Sequence, residues 1–488
     1  MEVTIGLIIV ILTWLILLLN LTFAITIIFF ERRDIGTTWA WLLVLFFLPL
    51  IGFFVYIFFG RLIKSQNFYE VEEEKREAYH HHVAEQLDQL DQSTAPFNHP
   101  LLLKHRRLAR LNLVSTNAMM SFHNDIRVLH DGKEKFDQLF QDIERATKEV
   151  NIQYYIIQND VLGQSLIRLL TEKAKQGLRV RLLYDAVGSR GLRHKHFKDL
   201  LAHGGEVKSF FPSKLGINFR VNNRNHRKLC IIDGDLGYIG GFNVGDEYLG
   251  KDEHFGYWRD VHLRISGDAV KELLERFILD WNRSVPTKTK ARKDDFVWPT
   301  EGISHHAAPV QIVTSGPNSS TEHLKNMLVK MITQSKECIY IQTPYFIPDA
   351  SFLDACRIAL MAGTKIKLMI PNKPDHMFVY WATYANAAEL VRYGAEVFTY
   401  EEGFLHAKTL VIDGEVASIG TTNIDARSFR LNFEISALVF DKDVAQSVID
   451  AFERDEARAE RLTIERYESR TRWIRFKESV SRLLSPIL

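Results

Sequence analysis

Cysteine is nearly missing from this 488-residue chain: Cys230, Cys338 and Cys356 are far apart, and no two stand in a C-x-x-C spacing. That excludes a disulfide framework and a thiolate zinc site. It leaves three buried thiols, which fit a reducing compartment. An excess of either charge is also lacking, with 61 Lys and Arg against 60 Asp and Glu for a net charge of +1. Such a chain is not built as a general nucleic-acid binder, so an anionic partner must be met by a local patch.

Apolar residues, by contrast, make up 46% of the chain and include 32 Phe, many of them at the start. Val3 to Phe30 is a nearly uncharged run of 28 residues, followed by Glu31-Arg-Arg-Asp34, and Trp39 to Phe59 is a second run of 21. At the helical rise the second run reaches about 31 Å, enough for a hydrocarbon core. Residues 1–64 therefore read as two transmembrane helices. Pro49 kinks the second, and Trp39, Trp41 and Tyr56 sit near its ends. A cleaved signal peptide fits poorly, because the n-region is only Met1 and Glu2 and no small-residue cleavage pattern ends the first run. Arg61, Lys64, Lys75 and Arg76 follow the second run, against Arg32 and Arg33 between the runs, which puts the body on the cytoplasmic side. Residues 65–125 read as a connector. Its adjacent His80, His81 and His82 are surface residues rather than metal ligands. Its cluster Lys104, His105, Arg106, Arg107 and Arg110 is either a headgroup contact or a solvated face.

The body is written twice. DIRVLHDGKEKFDQLFQDIERATKEVNIQYYI (125–156) and VQIVTSGPNSSTEHLKNMLVKMITQSKECIYIQTPYF (310–346) each give strand, Gly-containing turn, helix and apolar strand. QGLRVRLLYD (176–185) then matches AGTKIKLMIP (362–371), and HGGEVKSF (203–210) matches YGAEVFTY (393–400). This alternation predicts an α/β protein of two tandem α-β-α lobes, 126–298 and 299–455, packed face to face. It also predicts right-handed crossovers and a mainly parallel sheet in each lobe. Residues 456–488 form an amphipathic helical tail. Its face of Trp473, Phe476, Val480, Leu483, Leu484 and Ile487 is expected to dock on the body, with an in-plane membrane helix as the second reading.

One constellation recurs in both halves. NHRKLCIIDGDLGYIGGFNVG (225–245) and LHAKTLVIDGEVASIGTTNID (405–425) share His-x-Lys, then Asp, Gly and Asn at the same intervals. The members are His226, Lys228, Asp233, Gly240 and Asn243 against His406, Lys408, Asp413, Gly420 and Asn423. LCII and TLVI read as buried strands, and in a strand residues two apart point to one face, so His226 and Lys228 share a face, as do His406 and Lys408. Asp-Gly marks the following turn, where Asp233 and Asp413 fix the turn and neighbouring charges. Lysines 228 and 408 with the amides of Asn243 and Asn423 suit the spread charge of a phosphodiester transition state. One imidazole attacks phosphorus and the other handles the proton of the leaving and entering alcohols. Each imidazole needs an orienting carboxylate, and Asp260 and Glu434 are the candidates. They lie 17 residues after Asn243 and 11 after Asn423, and the extra stretch around LGKDEHF reads as a substrate loop. No metal ligand set accompanies the motifs.

This doubled pattern resembles the HKD motif of the phospholipase D superfamily over residues 125–455. With the two apolar runs, the chain resembles the two-span bacterial cardiolipin synthase family. FHNDIRVLHDG (122–132), IQYYIIQND (152–160), IQTPYFIPD (341–349) and SRLLSPIL (481–488) support the likeness. The resemblance implies metal-independent, cofactor-free phosphatidyl transfer in a bacterial inner membrane. Phosphatidylglycerol would be substrate and cardiolipin product, through a phosphatidyl-histidine. It implies the catalytic set His226, Lys228, Asp233, His406, Lys408 and Asp413. Within it His226 is nucleophile, His406 acid and base, and Asp260 and Glu434 the histidine partners. The residues themselves leave the order of the two histidines open. The alternatives are a membrane-bound phospholipase D or another phosphatidyltransferase, and a catalytically inactive lipid-binding scaffold.

Two further signals concern anionic lipids. Lys214, Arg220, Arg224, Arg227 and Lys228 surround the first motif, and Arg190, Arg193, Lys195 and Lys198 precede it; headgroup capture is the favoured reading. Phe378, Tyr380 and Trp381 follow a strand end, where they either border an acyl-chain groove or, in the favoured reading, fill a core.

Overall fold

The computed structural model describes residues 2–31, 35–60, 63, 68–69, 73–212, 222–300, 302 and 308–484. Helix Glu2–Phe29 is long and apolar enough over Thr4–Phe29 to cross a bilayer. The second apolar run is not one helix but two, Ile35–Phe47 and Pro49–Val55, continued by a π turn over Tyr56–Gly60. The break falls at Leu48 (φ −125°, ψ 60°), because Pro49 has no N–H to give the Leu45 carbonyl and its ring crowds the preceding turn. Asn20 of the first helix compensates: its Nδ2 donates to the Pro49 oxygen at 2.7 Å and to that Leu45 oxygen at 3.5 Å. Gly52 lies so close to the preceding helix that a Cβ there would come within 2.6 Å of the Val44 oxygen. Arg32, Arg33, Arg61 and Lys64, on which the orientation was reasoned, lie outside the described residues, as do Lys214, Arg220 and Ile487.

The duplication is visible in the sheets. The first runs in the order Asn124–Leu129, His262–Gly267, Leu236–Gly240, Leu229–Ile232, Glu149–Tyr154, Arg179–Asp185, Glu206–Phe210. The second repeats it with Val310–Ser315, Asn432–Val439, Val416–Gly420, Thr409–Ile412, Cys338–Gln342, Lys365–Pro371, Glu396–Tyr400. Met120–Ser121 and Ala459–Leu462 cap the two edges of this second sheet antiparallel. The expectation of mainly parallel sheets is corrected here. Only the last three strands of each repeated set pair parallel; the other neighbours are antiparallel. Helical crossovers join only the parallel strands. The strand after each Lys turns back through a tight hairpin that opens with Asp-Gly and leaves three residues between paired positions, which admits only antiparallel pairing. Asp233 and Asp413 both have φ 52°, with Gly234 and Gly414 also at positive φ, the backbone such a turn demands.

Between the sheets lies one shared core. Ile231, Ile239, Leu263 and Ile265 from the first sheet meet Val411, Ile419, Ile435 and Ala437 from the second, with helices Ala269–Ser284 and Lys442–Glu456 completing it. Each sheet has a separate outer core on its other side. Helices Glu73–Gln92 and Pro100–Thr116 of the connector contribute Leu90, Leu102, Leu108 and Leu113 to the outer core of the second lobe. In the connector's basic cluster, Lys104 and His105 pair with Glu415 and Arg110 with Asp91, so these three are engaged by protein carboxylates.

Two short parallel bridges cross from lobe to lobe. Arg224–Asn225 pairs with Asn432–Phe433, and Gly403–Leu405 pairs with Tyr257–Arg259. Each bridge ends at the residue before a motif histidine on one side and the residue before a candidate carboxylate on the other.

Candidate active site

The bridges set the register of the site. The His226 N–H donates to the Phe433 carbonyl at 2.9 Å, and the His406 N–H donates to the Arg259 carbonyl at 2.7 Å. His226 and Lys228, like His406 and Lys408, lie in the three-residue extended segment between a bridge and a sheet strand, not in the strand itself. The next residue on each partner is the carboxylate. His226 Nδ1 stands 2.9 and 3.0 Å from the two Glu434 carboxylate oxygens, and His406 Nδ1 stands 2.6 Å from Asp260 Oδ2. The pairing is therefore crossed: each lobe's histidine takes its carboxylate from the other lobe. Both carboxylates are fully buried, and Nε2 of each imidazole is the nitrogen left for chemistry.

The lysines complete each half. Lys228 Nζ donates to the His226 carbonyl at 2.7 Å, Lys408 Nζ donates to the His406 carbonyl, and Lys408 Nζ lies 3.8 Å from Asp260 Oδ2. Burial pushes the Lys228 ammonium down to about 7 and that of Lys408 down to about 8, against the pull of Glu434 and Asp260. Burial also lowers His226 despite Glu434, and burial with the Lys408 charge brings His406 to about 3. Burial works to raise Glu434, but the His226 contact and the Lys228 charge hold it below the ordinary carboxylate range. The charges of Lys228 and Lys408 each bear on both imidazoles, so the two halves form one electrostatic unit. An anion placed there meets two lysines that lack a solvent shell.

Asp233 and Asp413 are not brought to the imidazoles; each sits at the far end of its strand. Asp233 accepts from the N–H groups of Thr147, Lys148 and Glu149, and Asp413 from those of Lys336, Glu337 and Cys338, each at 2.8–3.2 Å. They tie the Asp-Gly turn to the start of the neighbouring strand. Asn243 and Asn423 are buried beside the motifs. The Asn243 amide donates to the Tyr248 hydroxyl at 3.0 Å, and the Asn423 side-chain oxygen has no partner among the described residues. Of the basic cluster around the first motif, Arg227 is fully buried in an ion pair with Asp280 at 2.8 Å, and Arg224 is buried too; both are interior groups.

Sequence reasoning passed over several neighbours. Tyr248 places its hydroxyl 3.3 Å from His406 Nδ1, and the Trp258 ring centroid is 5.4 Å from that of His406. The Tyr155 ring stands edge-on to His226 with centroids 4.9 Å apart, and Lys228 Nζ lies 5.3 Å from its centre. Thr421 donates its hydroxyl to Glu434. The position of Tyr155 at the end of strand Glu149–Tyr154 was the one available signal, since parallel strands carry their ligand groups at that end. The inserted stretch after Gly250 packs against the second lobe: Phe255 meets Phe404 with centroids 5.6 Å apart, and its carbonyl accepts from Lys373 at 3.2 Å.

Twin lobes with doubled His-x-Lys motifs define the class, a phospholipase D-like protein. Residues 139–281 and 328–456 match the family described as cardiolipin synthase, phospholipase D-like domain, and residues 18–61 match the phospholipase D-nuclease N-terminal family. The chain is 49% identical over 475 residues to a cardiolipin synthase of Listeria innocua, covering 97% of this chain and 98% of that one. It is 50% identical over 472 residues to one of Staphylococcus aureus, covering 96% and 95%. Among solved structures, a phosphatidylserine synthase of Haemophilus influenzae shares the fold, with TM-score 0.59, 15% identity and coverage of 78% of this chain and 100% of that one. The chain belongs to the cardiolipin synthase family, phosphatidyltransferase enzymes of the phospholipase D superfamily.

Proposed function

We propose that this enzyme joins two phosphatidylglycerol molecules into cardiolipin and glycerol through a phosphatidyl-histidine. The crossed His–carboxylate pairs, sharing one buried field with two lysines, carry this reading. Nε2 of His226, whose Nδ1 is held by Glu434, attacks phosphorus, and the bond to the headgroup glycerol oxygen breaks. His406 delivers the proton to that oxygen and glycerol leaves. The hydroxyl of a second phosphatidylglycerol then gives its proton to His406 and attacks phosphorus. The P–N bond breaks and cardiolipin forms. Burial lowers both imidazoles, which favours the neutral form that a nucleophile needs. The charge of a bound phosphodiester offsets the lysines and raises His406 to where it can hold the transferred proton. Lys228 and Lys408 face the charge gathering on the equatorial oxygens, with Asn243 and Asn423 beside them. Asp233 and Asp413 act at a distance, by fixing the turns behind the motifs.

Transfer prevails over hydrolysis when an alcohol, rather than water, reaches the intermediate. The surface near the site supports delivery from a bilayer. Tyr345 donates to Asp375 in the 372–376 loop, which follows strand Lys365–Pro371. Helix Met377–Val391 starts there with Met377 and Phe378 exposed. Helix Arg472–Leu484 lies against it, burying Glu478 and Ser481 while the stacked Trp473 and Phe476 stay exposed. Of the apolar face expected to dock, Trp473 and Phe476 are exposed and Val480 is half-buried. The outward Trp and Phe, flanked by Arg472, Arg475 and Lys477, suit an anionic lipid surface. We place the body on the cytoplasmic face of a bacterial inner membrane, held by the two N-terminal apolar runs as a multi-pass anchor.

Purified protein given labelled phosphatidylglycerol, without added metal, should yield cardiolipin and glycerol in equal amounts. Phosphatidic acid as the sole product would make it a hydrolase, and no product from folded protein would leave a scaffold.

A further inference from the structure

The two inter-lobe bridges are built alike but present different side chains to the site. Residues two apart in an extended chain share a face. The residue two before each histidine and the residue two before each carboxylate therefore stand on the side of the imidazole. The bridge registers pair these positions: Arg224 with Asn432 beside His226, and Phe404 with Trp258 beside His406. On the first bridge Arg224 brings a buried guanidinium, and Asn432 Nδ2 donates to Glu434 at 3.3 Å. On the second the Trp258 and Phe404 rings have centroids 4.6 Å apart, and these lie 5.4 and 6.2 Å from that of His406. Tyr248 closes a third side, with its ring centroid 5.9 Å from that of His406. His226 has one ring neighbour among the described residues, Tyr155. The duplicated site is thus polar at one imidazole and aromatic at the other.

The aromatic side has its own support. Phe255 belongs to the inserted stretch that has no counterpart in the second lobe. Its ring meets Phe404 with centroids 5.6 Å apart and Trp258 with centroids 5.8 Å apart, and its carbonyl is held by Lys373. Phe404 is fully buried, whereas Trp258 and Phe255 are half-buried, so the wall keeps an accessible edge. His406 is the imidazole through which the leaving and the entering alcohol exchange their protons. Rings placed there treat the two possible acceptors unequally. The carbon atoms of an alcohol gain apolar contact with them, while water gains none and finds no hydrogen-bond partner on that side.

We propose that Trp258 and Phe404, braced by Phe255, are specificity-determining residues that commit the phosphatidyl-enzyme to an alcohol rather than to water. The inference rests on the reaction proposed above and adds what selects its second substrate. Full-length protein in mixed micelles of labelled phosphatidylglycerol is given methanol, ethanol or 1-propanol at equal concentration. Cardiolipin, phosphatidyl-alcohol and phosphatidic acid are then separated. Their ratios belong to the shared intermediate and do not depend on how much of a variant is folded. In the wild type the ratio of phosphatidyl-alcohol to phosphatidic acid should rise by up to about fourfold for each added methylene. Trp258→Gln should flatten that rise and lower cardiolipin relative to phosphatidic acid by about fivefold or more, whereas Trp258→Phe should stay within about twofold of wild type. Phe255→Ala should shift the ratios in the same direction as Trp258→Gln, and it decides alone if Trp258→Gln yields no product. Ratios unchanged in both variants overturn the wall and leave the reaction standing. Phosphatidyl-alcohols without cardiolipin keep the wall and overturn the proposed acceptor. A wild type that makes phosphatidic acid alone, or nothing, overturns both.

Discussion

His226 takes its orienting carboxylate from Glu434, 208 positions further along the chain, and a backbone hydrogen bond from His226 to Phe433 fixes that meeting. Glu434→Gln keeps the shape but reverses the donor and acceptor roles at Nδ1. It should lower the transfer rate on the order of 10²-fold or more with membrane insertion unchanged. Asp260→Asn should act likewise through His406. Because His226 and Glu434 work as a unit, the double variant H226A/E434Q should be no slower than H226A alone. Steady-state cardiolipin formation checks this, and additive losses would refute the unit.

The two histidines should separate when the leaving group no longer needs a proton. With a p-nitrophenyl phosphodiester of a diacylglycerol, His406→Ala should still release a burst of nitrophenol and trap the phosphatidyl-enzyme, whereas His226→Ala should release none. The reverse pattern would exchange their roles.

The lysines give a pH dependence with a definite sign. In the proposed reaction Lys228 and Lys408 bind phosphate as cations, and burial brings them down to about 7 and about 8. The profile of kcat/KM should therefore fall as pH rises through that range. The kcat limb should lie higher, since bound phosphate restores the charge. Stability should move oppositely. Between the folded values and the unfolded value of about 10.4 the unfolded chain binds more protons, so the folded state gains as pH rises. Parallel rate and thermal-unfolding scans from pH 6 to 10 test both signs.

Asp233 should report on stability more than on chemistry. Asp233→Asn retains a residue type that tolerates positive φ but loses the carboxylate that gathers three backbone N–H groups. A loss of about 1–3 kcal/mol is expected, with the rate of the folded fraction far less affected than by H226A. Burial works to raise Asp233, but the N–H bonds hold it below its ordinary range. Its contribution is therefore present above the unfolded value and fades as pH falls through the folded one. Thermal midpoints of wild type and variant should converge in acid.

What the sequence made legible was what is local. His-x-Lys, the Asp-Gly hairpin and the doubled strand-helix pattern span a few residues each, and the repeat confirms them. The crossed pairing was hidden because it depends on two inter-lobe bridges, Arg224–Asn225 with Asn432–Phe433 and Gly403–Leu405 with Tyr257–Arg259, which leave no period in either half. The sheets were read as mainly parallel because helices dominate the pattern between strands, although the Asp-Gly turns already required antiparallel neighbours. Tyr248 reaches His406 from a short turn, Asp246–Leu249, whose polar letters give no sign of an inward-facing ring. In the second apolar run Pro49 marked the kink, but the fact that Asn20 fills the gap it opens depends on the packing of two helices.

The exchange of partners between lobes leaves neither half self-sufficient. A solitary lobe would hold an imidazole with nothing to steer it and an acid with nothing to steer. Each half depends on a residue coded more than a hundred and forty positions away, and neither can drift, be trimmed or be borrowed by another protein without silencing its twin.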